Sequence, residues 1–274
     1  MALYFVDGQY VEAEAAVLPL TDMAILRGYA VFDFLRTYRG KPFHLEEHLA
    51  RLQRSAALLH IPFPWSPAYL EEITSELLRR NSFAEANIRF LITGGDSADS
   101  ITPLLQPRLA VMATEMVPFP SEWYRTGVKV ITADVTRYVP GSKSTNYIQA
   151  ILALRQARAD GAIESVYVNE DDQLLEGTTS NIFFVKGTTI VTPKEGILPG
   201  ITRDVVLRLA QQKFSIEQDR VLRSDLPAFT EAFLTSSNKE VVPVTHIDAI
   251  GISSSPGPVT REIMALFRAY TEAW

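Results

Sequence analysis

The segment "LLEGTTSNIFFVKGTTIVTPKEGILPGITRDVV", residues 174–206, decides the fold class of the chain. Its apolar runs are rich in β-branched and aromatic residues, and Lys186-Gly187 separates two of them in the manner of a hairpin turn. A Pro-Gly turn at residues 199–200 then leads into a helical pattern. The preceding run "SVYVNEDDQLLEG", residues 165–177, predicts another hairpin. Consecutive hairpins followed by a helix indicate an α+β fold.

The same kinds of element lie on either side of a proline-containing boundary. "MVPFPS", residues 116–121, follows an apolar strand and is the best candidate for a linker. We therefore expect a small N-terminal α+β domain over residues 1–117, a linker at 118–121, and a larger domain over 122–274 that carries Lys143. The predicted elements are a hairpin at Asp7-Gly8, helices at about 44–60, 67–80 and 146–160, a helix that begins after Gly200, strands at 87–93, 108–114 and 128–135, further strands within 231–248, and a terminal helix from 258.

The composition excludes several classes of protein. The chain has 274 residues, no cysteine and a net charge of −6, so it can form neither disulfides nor thiolate metal sites. No cluster of Lys and Arg forms the basic stripe of a nucleic-acid-binding protein. No apolar run is long enough to span a bilayer, and the N-terminus does not match a secretory signal. We therefore expect a cytoplasmic enzyme that acts on small molecules, without a nucleic-acid or membrane partner.

Two positions in the C-terminal half combine a reactive side chain with a turn. Lys143 lies among small residues in "VPGSKSTNY", directly before an apolar helical pattern. Glu176 ends an apolar strand, where a buried carboxylate needs a cationic partner such as a protonated ring nitrogen. Each also has a simpler interpretation, because a lysine in a loop and a carboxylate at a hairpin end are usually solvated.

Two further segments could bind an anion. The amides of Ile201 and Thr202 would open a helix after the Pro-Gly turn, and a helix N-terminus is a ready phosphate site. Ser236, Ser237 and Asn238 follow an apolar strand, where hydroxyls and turn amides suit an anion. The simpler interpretations are a helix capped by Thr202 and a serine-rich turn.

Arginines interrupt the apolar patterns of the N-terminal half. Arg51 lies beside the apolar stripe of the helix at 44–60, from which its planar head could reach a phosphate. Arg27 and Arg89 lie inside apolar segments, which places each on a solvated face or in a polar pocket. "HLEEH" at 44–48 matches an inverted zinc-peptidase motif, but polar residues are expected in the first turn of an amphipathic helix. We therefore predict no metal site.

The order of the motifs is more specific than any one of them. "KSTNY", "EGTTSNIFFV", "ILPGITRDVV" and "FLTSSNKEVVPV" follow one another as they do in the class IV aminotransferases, which the chain resembles over nearly its whole length. These are pyridoxal-phosphate enzymes of fold type IV. The resemblance implies two α/β domains with the active site between them, and a homodimer.

The resemblance also implies a role for each candidate residue. Lys143 matches the lysine that binds pyridoxal 5'-phosphate covalently and then moves the substrate's proton, which requires a neutral amine. Glu176 matches the glutamate paired with the ring nitrogen, and Tyr147 the tyrosine that bonds the cofactor's phenolic oxygen. The matching phosphate ligands are Arg51, the amides of Ile201 and Thr202, and Ser237. Ser236 is a further expected cofactor-binding residue.

Three branches of this family compete: D-amino-acid transaminases, branched-chain aminotransferases and aminodeoxychorismate lyases. The loop "TGGDSADSITP" lacks the carboxylate trap of the common D-enzymes, and Asn87 replaces the tyrosine of the branched-chain pattern. Arg27 and Arg89 supply two guanidinium groups that suit two carboxylates, as in a less usual group of D-amino-acid transaminases. We therefore expect D-glutamate or D-alanine with 2-oxoglutarate, and Arg27 reaching the neighbouring subunit's site. The expected substrate-binding residues are Arg27, Phe32, Arg89 and Asn238.

Overall fold

The computed structural model describes residues 2–274, and over this range the chain forms two compact units. The first unit contains the residues up to Val117, the segment Gly141–Tyr147, and Trp274. The second unit contains Pro118–Pro140 and Ile148–Ala273. The division into domains over 1–117 and 122–274 stays a prediction. The predicted linker is irregular at Pro118–Pro120, and Ser121 already begins a helix.

The first unit is an antiparallel sheet that packs against two amphipathic helices. Over the described residues it has six strands in the order β2-β1-β6-β5-β3-β4. Leu49 and Leu52 of α2 and Leu70 and Ile73 of α3 belong to the same buried cluster as Phe90 of the sheet. The elements of this unit are β1 (Leu3–Val6), β2 (Gln9–Glu12), α1 (Met23–Arg27), β3 (Ala30–Tyr38), β4 (Lys41–Pro42), α2 (Leu45–Leu58), α3 (Pro67–Asn81), β5 (Ala86–Thr93) and β6 (Leu109–Glu115).

Local sequence signals predict most of these elements. The hairpin turn lies at Asp7-Gly8, where both residues have positive φ, 44° and 91°, as a two-residue hairpin requires. The helices at 44–60 and 67–80 and the strands at 87–93 and 108–114 are confirmed within two residues. Strand β3 is not predicted by the sequence, because eight of its nine residues are buried and no alternation marks one face as solvated.

The segment Gly141–Tyr147 belongs to the first unit, whereas the sequence places Lys143 in the C-terminal domain. The reason is backbone pairing: Val31 and Ser144 form an isolated antiparallel bridge, and the amide of Thr145 donates to the carbonyl of Ala30 over 3.0 Å. The segment is therefore attached to strand β3 of the first unit by a short strand-like pairing.

The second unit is built on a larger mixed sheet. In the part of the chain that the structure describes, the sheet has nine strands, in the order β12-β11-β10-β13-β14-β7-β8-β9, with β15 beside β14. Strand β9 also pairs with β10. The six strands β10, β13, β14, β7, β8 and β9 therefore form a closed ring. The elements are α4 (Ser121–Thr126), β7 (Val128–Asp134), α5 (Ile148–Ala159), β8 (Glu164–Val168), β9 (Leu174–Gly177), β10 (Asn181–Lys186), β11 (Thr189–Thr192), α6 (Ile201–Ala210), β12 (Ser215–Gln218), β13 (Glu231–Ser236), β14 (Glu240–Ile247), β15 (Ile250–Gly251) and α7 (Pro258–Glu272).

The hairpin predicted over 165–177, the second hairpin after it and the helix that follows Gly200 are confirmed. Helix α6 begins at Ile201, with Gly200 as its N-cap residue. The simpler interpretation of this segment, in which Thr202 caps the helix, is therefore wrong: Thr202 is already the second helical residue. Because the Pro-Gly turn ends at Gly200, the first helical residue is Ile201, which precedes Thr202.

Within residues 2–274, no helix is long and apolar enough to cross a membrane. The cytoplasmic location expected from the sequence stays a prediction.

Candidate active site

Lys143 is held in the first unit by backbone bonds on both sides. Its carbonyl accepts a hydrogen bond from the amide of Phe32 in β3 over 2.9 Å, and its amide donates to Oγ of Ser55 in α2 over 3.1 Å. Oγ of the neighbouring Ser142 donates to the carbonyl of Ser55 over 3.1 Å, and both serines are fully buried. The main chain at Lys143 is therefore fixed, while its long side chain is half-buried.

Three of the predicted site residues lie against the ring of Phe32. Nζ of Lys143 lies 4.7 Å from the ring centroid, and the guanidinium carbon of Arg89 lies 5.0 Å from it. The ring of Tyr147 packs edge-on against it, with centroids 5.5 Å apart. In the described part of the chain, Arg27 is not among the residues that contact this ring. Its Nη1 donates to the carbonyl of Leu26 over 2.7 Å.

Arg51 is buried and bound to a carboxylate that the sequence analysis did not select. Its Nε donates to Oδ2 of Asp33 over 2.8 Å and its Nη2 to Oδ1 over 2.7 Å, which is a bidentate pair. Nδ1 of His48 lies 2.6 Å from Oδ1 of the same carboxylate. Since a carboxylate only accepts, Nδ1 carries the hydrogen. The guanidinium plane of Arg51 is thereby fixed from α2 and β3 together.

Burial and charge act in opposite directions on this cluster. Burial alone would raise the pKa of Asp33, but the charges and hydrogen bonds of Arg51 and His48 hold that pKa well below its usual range. Burial lowers the pKa of His48, and the nearby charges of Arg51 and Lys143 lower it further, against the opposing effect of Asp33. The cluster is thus a buried ion pair with a neutral histidine beside it.

The two histidines of the "HLEEH" motif point to different partners. His48 bonds Asp33, whereas Nδ1 of His44 lies 2.7 Å from Oε1 of Glu47 and its ring packs on Trp274 with centroids 4.6 Å apart. Among the described residues no group of three His, Asp or Glu side chains is arranged to hold a metal ion.

In the second unit, Glu176 is the penultimate residue of β9 and a buried carboxylate that accepts hydrogen bonds at both oxygens. Nη1 of Arg137 donates to Oε1 over 2.7 Å, and the amide of Leu198 donates to Oε2 over 2.9 Å. Arg137 also donates to the carbonyl of Pro140 over 3.0 Å. A carboxylate supported in this way remains able to accept a further hydrogen bond, because each of its oxygens has two lone pairs.

The start of α6 is a buried and uncapped helix N-terminus. Ile201 and Thr202 are buried, and Gly200 has no side chain with which to cap their amides. Nδ2 of Asn181 donates to the carbonyl of Leu198 over 2.9 Å, and a Cβ on Gly200 would collide with Oδ1 of Asn181. First-turn amides and the helix dipole together favour an anion such as phosphate.

The hairpin turn between β13 and β14 contains the remaining predicted residues. Oγ of Ser236 lies 3.2 Å from Oδ1 of Asn238, to which it donates, and Ser236, Ser237 and Asn238 are all half-buried. The turn therefore presents two hydroxyls and an amide without burying them completely.

Sequence reasoning missed Asp33, His48, Arg137 and Asn181 as functional candidates. A weak signal existed for two of them: Asp33 interrupts the apolar run "AVFDFL", and His48 belongs to the motif that we dismissed as a metal site. Arg137 and Asn181 carry no local signal, since their roles depend on contacts with residues 17 to 39 positions away.

Comparison with known families tests these observations. The model of the family "Amino-transferase class IV" matches residues 30–247. The chain belongs to the class IV aminotransferases. The family match covers β3, Arg51, the Lys143 segment, Glu176, α6 and the β13–β14 turn, so it includes all of the candidate residues except Arg27.

Individual relatives of this aminotransferase carry different activities in their names. A Methanocaldococcus jannaschii protein, provisionally named a branched-chain-amino-acid aminotransferase, is 32% identical over 98% of this chain and 96% of its own. Aminodeoxychorismate lyase of Bacillus subtilis is 30% identical, with 97% and 94% covered. D-alanine aminotransferase of Bacillus licheniformis is 31% identical, with 94% and 93% covered. The three branches weighed from the sequence are thus about equally similar.

A solved structure supports the fold and the cofactor of this class IV aminotransferase. The T.th. branched-chain amino acid aminotransferase with pyridoxamine 5'-phosphate superposes with a TM-score of 0.94 at 30% identity, over 99% of this chain and 94% of that one. The fold type IV architecture expected from the sequence is confirmed. Class IV aminotransferases use pyridoxal phosphate, and it is the cofactor of this chain.

The side chains present fit that cofactor. The first unit offers an amine on a fixed backbone, Lys143, beside an aromatic ring. The second unit offers a buried carboxylate suited to a protonated ring nitrogen, Glu176, and an uncapped buried helix start suited to a phosphate. When bound, pyridoxal phosphate supplies an electron sink for the bonds of the amino acid's α-carbon.

Proposed function

We propose that this class IV aminotransferase moves the amino group of a D-amino acid, such as D-glutamate or D-alanine, to a 2-oxo acid such as 2-oxoglutarate. One observation carries the proposal: the guanidinium carbon of Arg89 and the amine of Lys143 lie 5.0 Å and 4.7 Å from the centroid of the Phe32 ring. An exposed guanidinium that contacts the same aromatic ring as the proposed reactive amine suits a substrate carboxylate. Arg27 is the proposed second carboxylate ligand, reaching the site of a partner subunit.

Lys143 is the proposed catalytic residue. We assign its amine the covalent attachment of pyridoxal phosphate and, once released by the substrate, the transfer of the proton on the substrate's α-carbon. Tyr147, which shares the Phe32 ring with it, is the proposed donor to the cofactor's phenolic oxygen. Phe32 and Asn238 are proposed to line the substrate pocket.

The remaining candidates are proposed to bind the cofactor. Glu176 accepts the hydrogen of the ring nitrogen, with Arg137 compensating its charge. The phosphate is assigned to the amides of Ile201 and Thr202, to Arg51, and to Ser236 and Ser237. Asp33 accepts from Nε and Nη2 of Arg51, so we assign that arginine's contribution to its positive charge near the phosphate.

The covalent part of the proposal is tested by borohydride reduction. A yellow protein that bleaches on reduction and carries the label on Lys143 is the expected result. The variant Lys143→Ala should take no label, while Lys186→Ala, at an exposed hairpin turn, should label normally. A wild-type protein that binds no pyridoxal phosphate would overturn the proposal as a whole.

The stereochemical part is tested with separate amino donors. D-glutamate and L-glutamate are each incubated with the enzyme and pyruvate, and alanine formation is followed. We expect turnover of the D-isomer. Turnover of the L-isomer alone would overturn the D-specificity and leave the transaminase assignment intact.

A branched-chain L-aminotransferase is the second candidate, favoured by the similarity to enzymes of that name. Turnover of L-leucine with 2-oxoglutarate, at a rate above that of D-glutamate, identifies it. A lyase is a further alternative, since one relative carries that name. It would release pyruvate from aminodeoxychorismate without any 2-oxo acid acceptor, which the transaminases cannot do.

We also propose that the enzyme is a homodimer. Helix α5 of the second unit exposes Ile148, Ile151 and Leu152 by 70%, 56% and 58%, on one face of the helix. Contiguous exposed apolar side chains of this kind mark an interaction surface. Light scattering should give a dimer for the wild type and a larger monomer fraction for Ile151→Glu than for the control Gln149→Glu. An active wild-type monomer would contradict the proposal.

A further inference from the structure

A buried ion pair of the second unit joins two strand ends that are far apart in sequence. Glu164 begins β8 and is 1% exposed, while Lys239 precedes β14 and is 7% exposed. Nζ of Lys239 donates to Oε1 of Glu164 over 3.2 Å. Lysine and glutamate are rarely buried unless they are paired, and a buried pair contributes little net stability. A role in holding one specific arrangement is therefore the better explanation.

Glu164 holds the turn that follows Glu176. The hydroxyl of Thr179 donates to Oε1 of Glu164, and the hydroxyl of Ser180 donates to Oε2. A Cβ on Gly177 would collide with Ser180 and with the Glu164 carboxylate, so the turn lies directly against that carboxylate. Glu176 is the residue immediately before this turn, and it pairs with Asn181 immediately after it.

Lys239 connects the same turn to the β13–β14 hairpin. Its Nζ donates to Oγ1 of Thr179 over 2.7 Å, and its own backbone carbonyl accepts from the hydroxyl of Tyr124 over 3.1 Å. Lys239 is itself a residue of this hairpin turn, which follows Ser236 and contains Ser237 and Asn238, and the proposed function assigns Ser236 and Ser237 to the phosphate. The hydroxyl of Thr179 thus accepts from Lys239 and donates to Glu164, so its hydrogen-bonding capacity is used on both sides.

We propose that Glu164 and Lys239 are a positioning pair that sets the carboxylate of Glu176 and the turn of Ser236 and Ser237 relative to each other. This inference rests on the proposed cofactor roles of Glu176 and of that turn. Neither member of the pair is among the residues assigned to the cofactor. Their effect passes through Thr179 and Ser180, which fix the turn next to Glu176, and through the β13–β14 turn to which Lys239 belongs. Supporting residues of this kind keep binding groups in their productive geometry.

The test compares variants of the pair with variants of matched groups elsewhere in the second unit. Lys239→Met and Glu164→Gln each remove one charge, Thr179→Val removes only the bridging hydroxyl at an exposed position, and Lys239→Arg keeps the positive charge. Glu231→Gln is the control for a buried carboxylate, because Glu231 accepts from the amides of Val259 and Thr260 at the start of α7. Lys213→Met is the control for an exposed Lys–Glu pair.

Three quantities are measured for every variant: the dissociation constant of pyridoxal phosphate, the pH at which the visible band of the bound cofactor titrates, and amide hydrogen exchange of residues 177–181 in the cofactor-free protein. Lys239→Met, Glu164→Gln and Thr179→Val should each weaken cofactor binding by about tenfold. They should also shift the titration of the visible band and accelerate exchange at the turn. Lys239→Arg should restore part of the affinity, and both controls should leave all three quantities near those of the wild type.

Retention of wild-type affinity, titration and exchange in Thr179→Val and Lys239→Met would overturn the proposal, even if their melting temperatures fall. The same holds if the controls change as much as the pair variants do. If Lys239→Met fails to fold, the measurements on Thr179→Val and Lys239→Arg still test the proposal. Failure of the proposed function is recognised separately, by the absence of a borohydride label on Lys143 in the wild type. In that case the exchange of residues 177–181 still tests whether the pair holds the turn.

Discussion

Nη1 of Arg137 donates to Oε1 of Glu176 over 2.7 Å, and the Glu176 side chain is only 6% exposed. Replacement by Arg137→Met would leave a buried carboxylate without its main compensating charge. Breaking a buried pair on one side is more costly than losing an exposed pair, so we expect a loss of about 2 kcal/mol in the free energy of unfolding. Urea denaturation of the cofactor-free protein measures it.

The control for this prediction is Arg125→Met, because Arg125 forms an ion pair with Glu122 in which both side chains are exposed. A change of no more than about 0.5 kcal/mol is expected there. Equal urea midpoints for Arg137→Met and the wild type would show that the pair does not support the folded state.

The cluster of Asp33, His48 and Arg51 predicts a pH dependence of stability. The pKa of Asp33 is well below its usual range in the folded chain, so the native state binds fewer protons than the unfolded state in acid. The free energy of unfolding therefore rises with pH in this range. The stabilisation is complete above the unfolded pKa, about 4, and is lost as the pH falls below it, by about 1 kcal/mol per pH unit.

Asp33→Asn removes this contribution. At pH 7 the variant should be less stable than the wild type by about 3 kcal/mol, because Arg51 then lacks its buried partner. The difference should shrink between about pH 4 and pH 3. Urea denaturation at both ends of this range and at pH 7 measures it, with Asp160→Asn, at an exposed position, as the control. A difference independent of pH would contradict the assignment of the titration to Asp33.

The close approach of Gly200 and Asn181 predicts a specific defect in cofactor binding. Gly200 has an ordinary φ of −75°, so alanine is tolerated by the backbone there, but its Cβ would collide with Oδ1 of Asn181. Either the Asn181 side chain, which donates to the carbonyl of Leu198, or the turn before α6 must then shift, and both changes disturb the chain that leads to the amides of Ile201 and Thr202. We expect Gly200→Ala to bind pyridoxal phosphate about tenfold more weakly, measured by absorbance titration.

Gly251→Ala is the matched control, because the nearest atoms to its added Cβ lie at ordinary contact distance, 3.8 Å and more. It should bind the cofactor like the wild type. If Gly200→Ala also binds normally, the start of α6 does not hold the phosphate.

The elements that could be predicted are those whose signal is local. The Asp7-Gly8 turn and the apolar stripes of α2 and α3 are set by residues a few positions apart, and the structure has them where expected. The second hairpin turns at Gly187-Thr188, one residue after the predicted Lys186-Gly187, because Lys186 still pairs with Thr189. Strand β3 escaped prediction because its burial on both faces removes the alternating pattern, and Asp33 and Arg36 interrupt its apolar run. Burial alone does not prevent prediction, since the buried strand β10 was predicted from an uninterrupted apolar run that ends at a glycine turn.

The candidate site was predictable as a set of residue types in a fixed order, but not as contacts. The bond from Arg137 to Glu176 spans 39 residues and the pair of Arg51 and Asp33 spans 18, and no short-range pattern encodes either. The backbone pairing of Ser144 with Val31, which attaches the Lys143 segment to the first unit, is longer still. Such pairings follow from the whole fold, in which each buried polar group finds its partner.

The position of Arg89 over Phe32 predicts its effect on substrate choice. Its guanidinium carbon lies 5.0 Å from the ring of Phe32 and 5.4 Å from that of Phe34, and the residue is exposed. A charge-assisted bond to a substrate carboxylate contributes about 1.5–3 kcal/mol. Arg89→Met should therefore lower kcat/KM for D-glutamate by about 100-fold, through KM more than through kcat. Arg89→Lys should recover only part of it, because lysine lacks the planar fork. Arg79→Met, at an exposed helical position, is the control; an unchanged kcat/KM in Arg89→Met would exclude Arg89 as a carboxylate ligand.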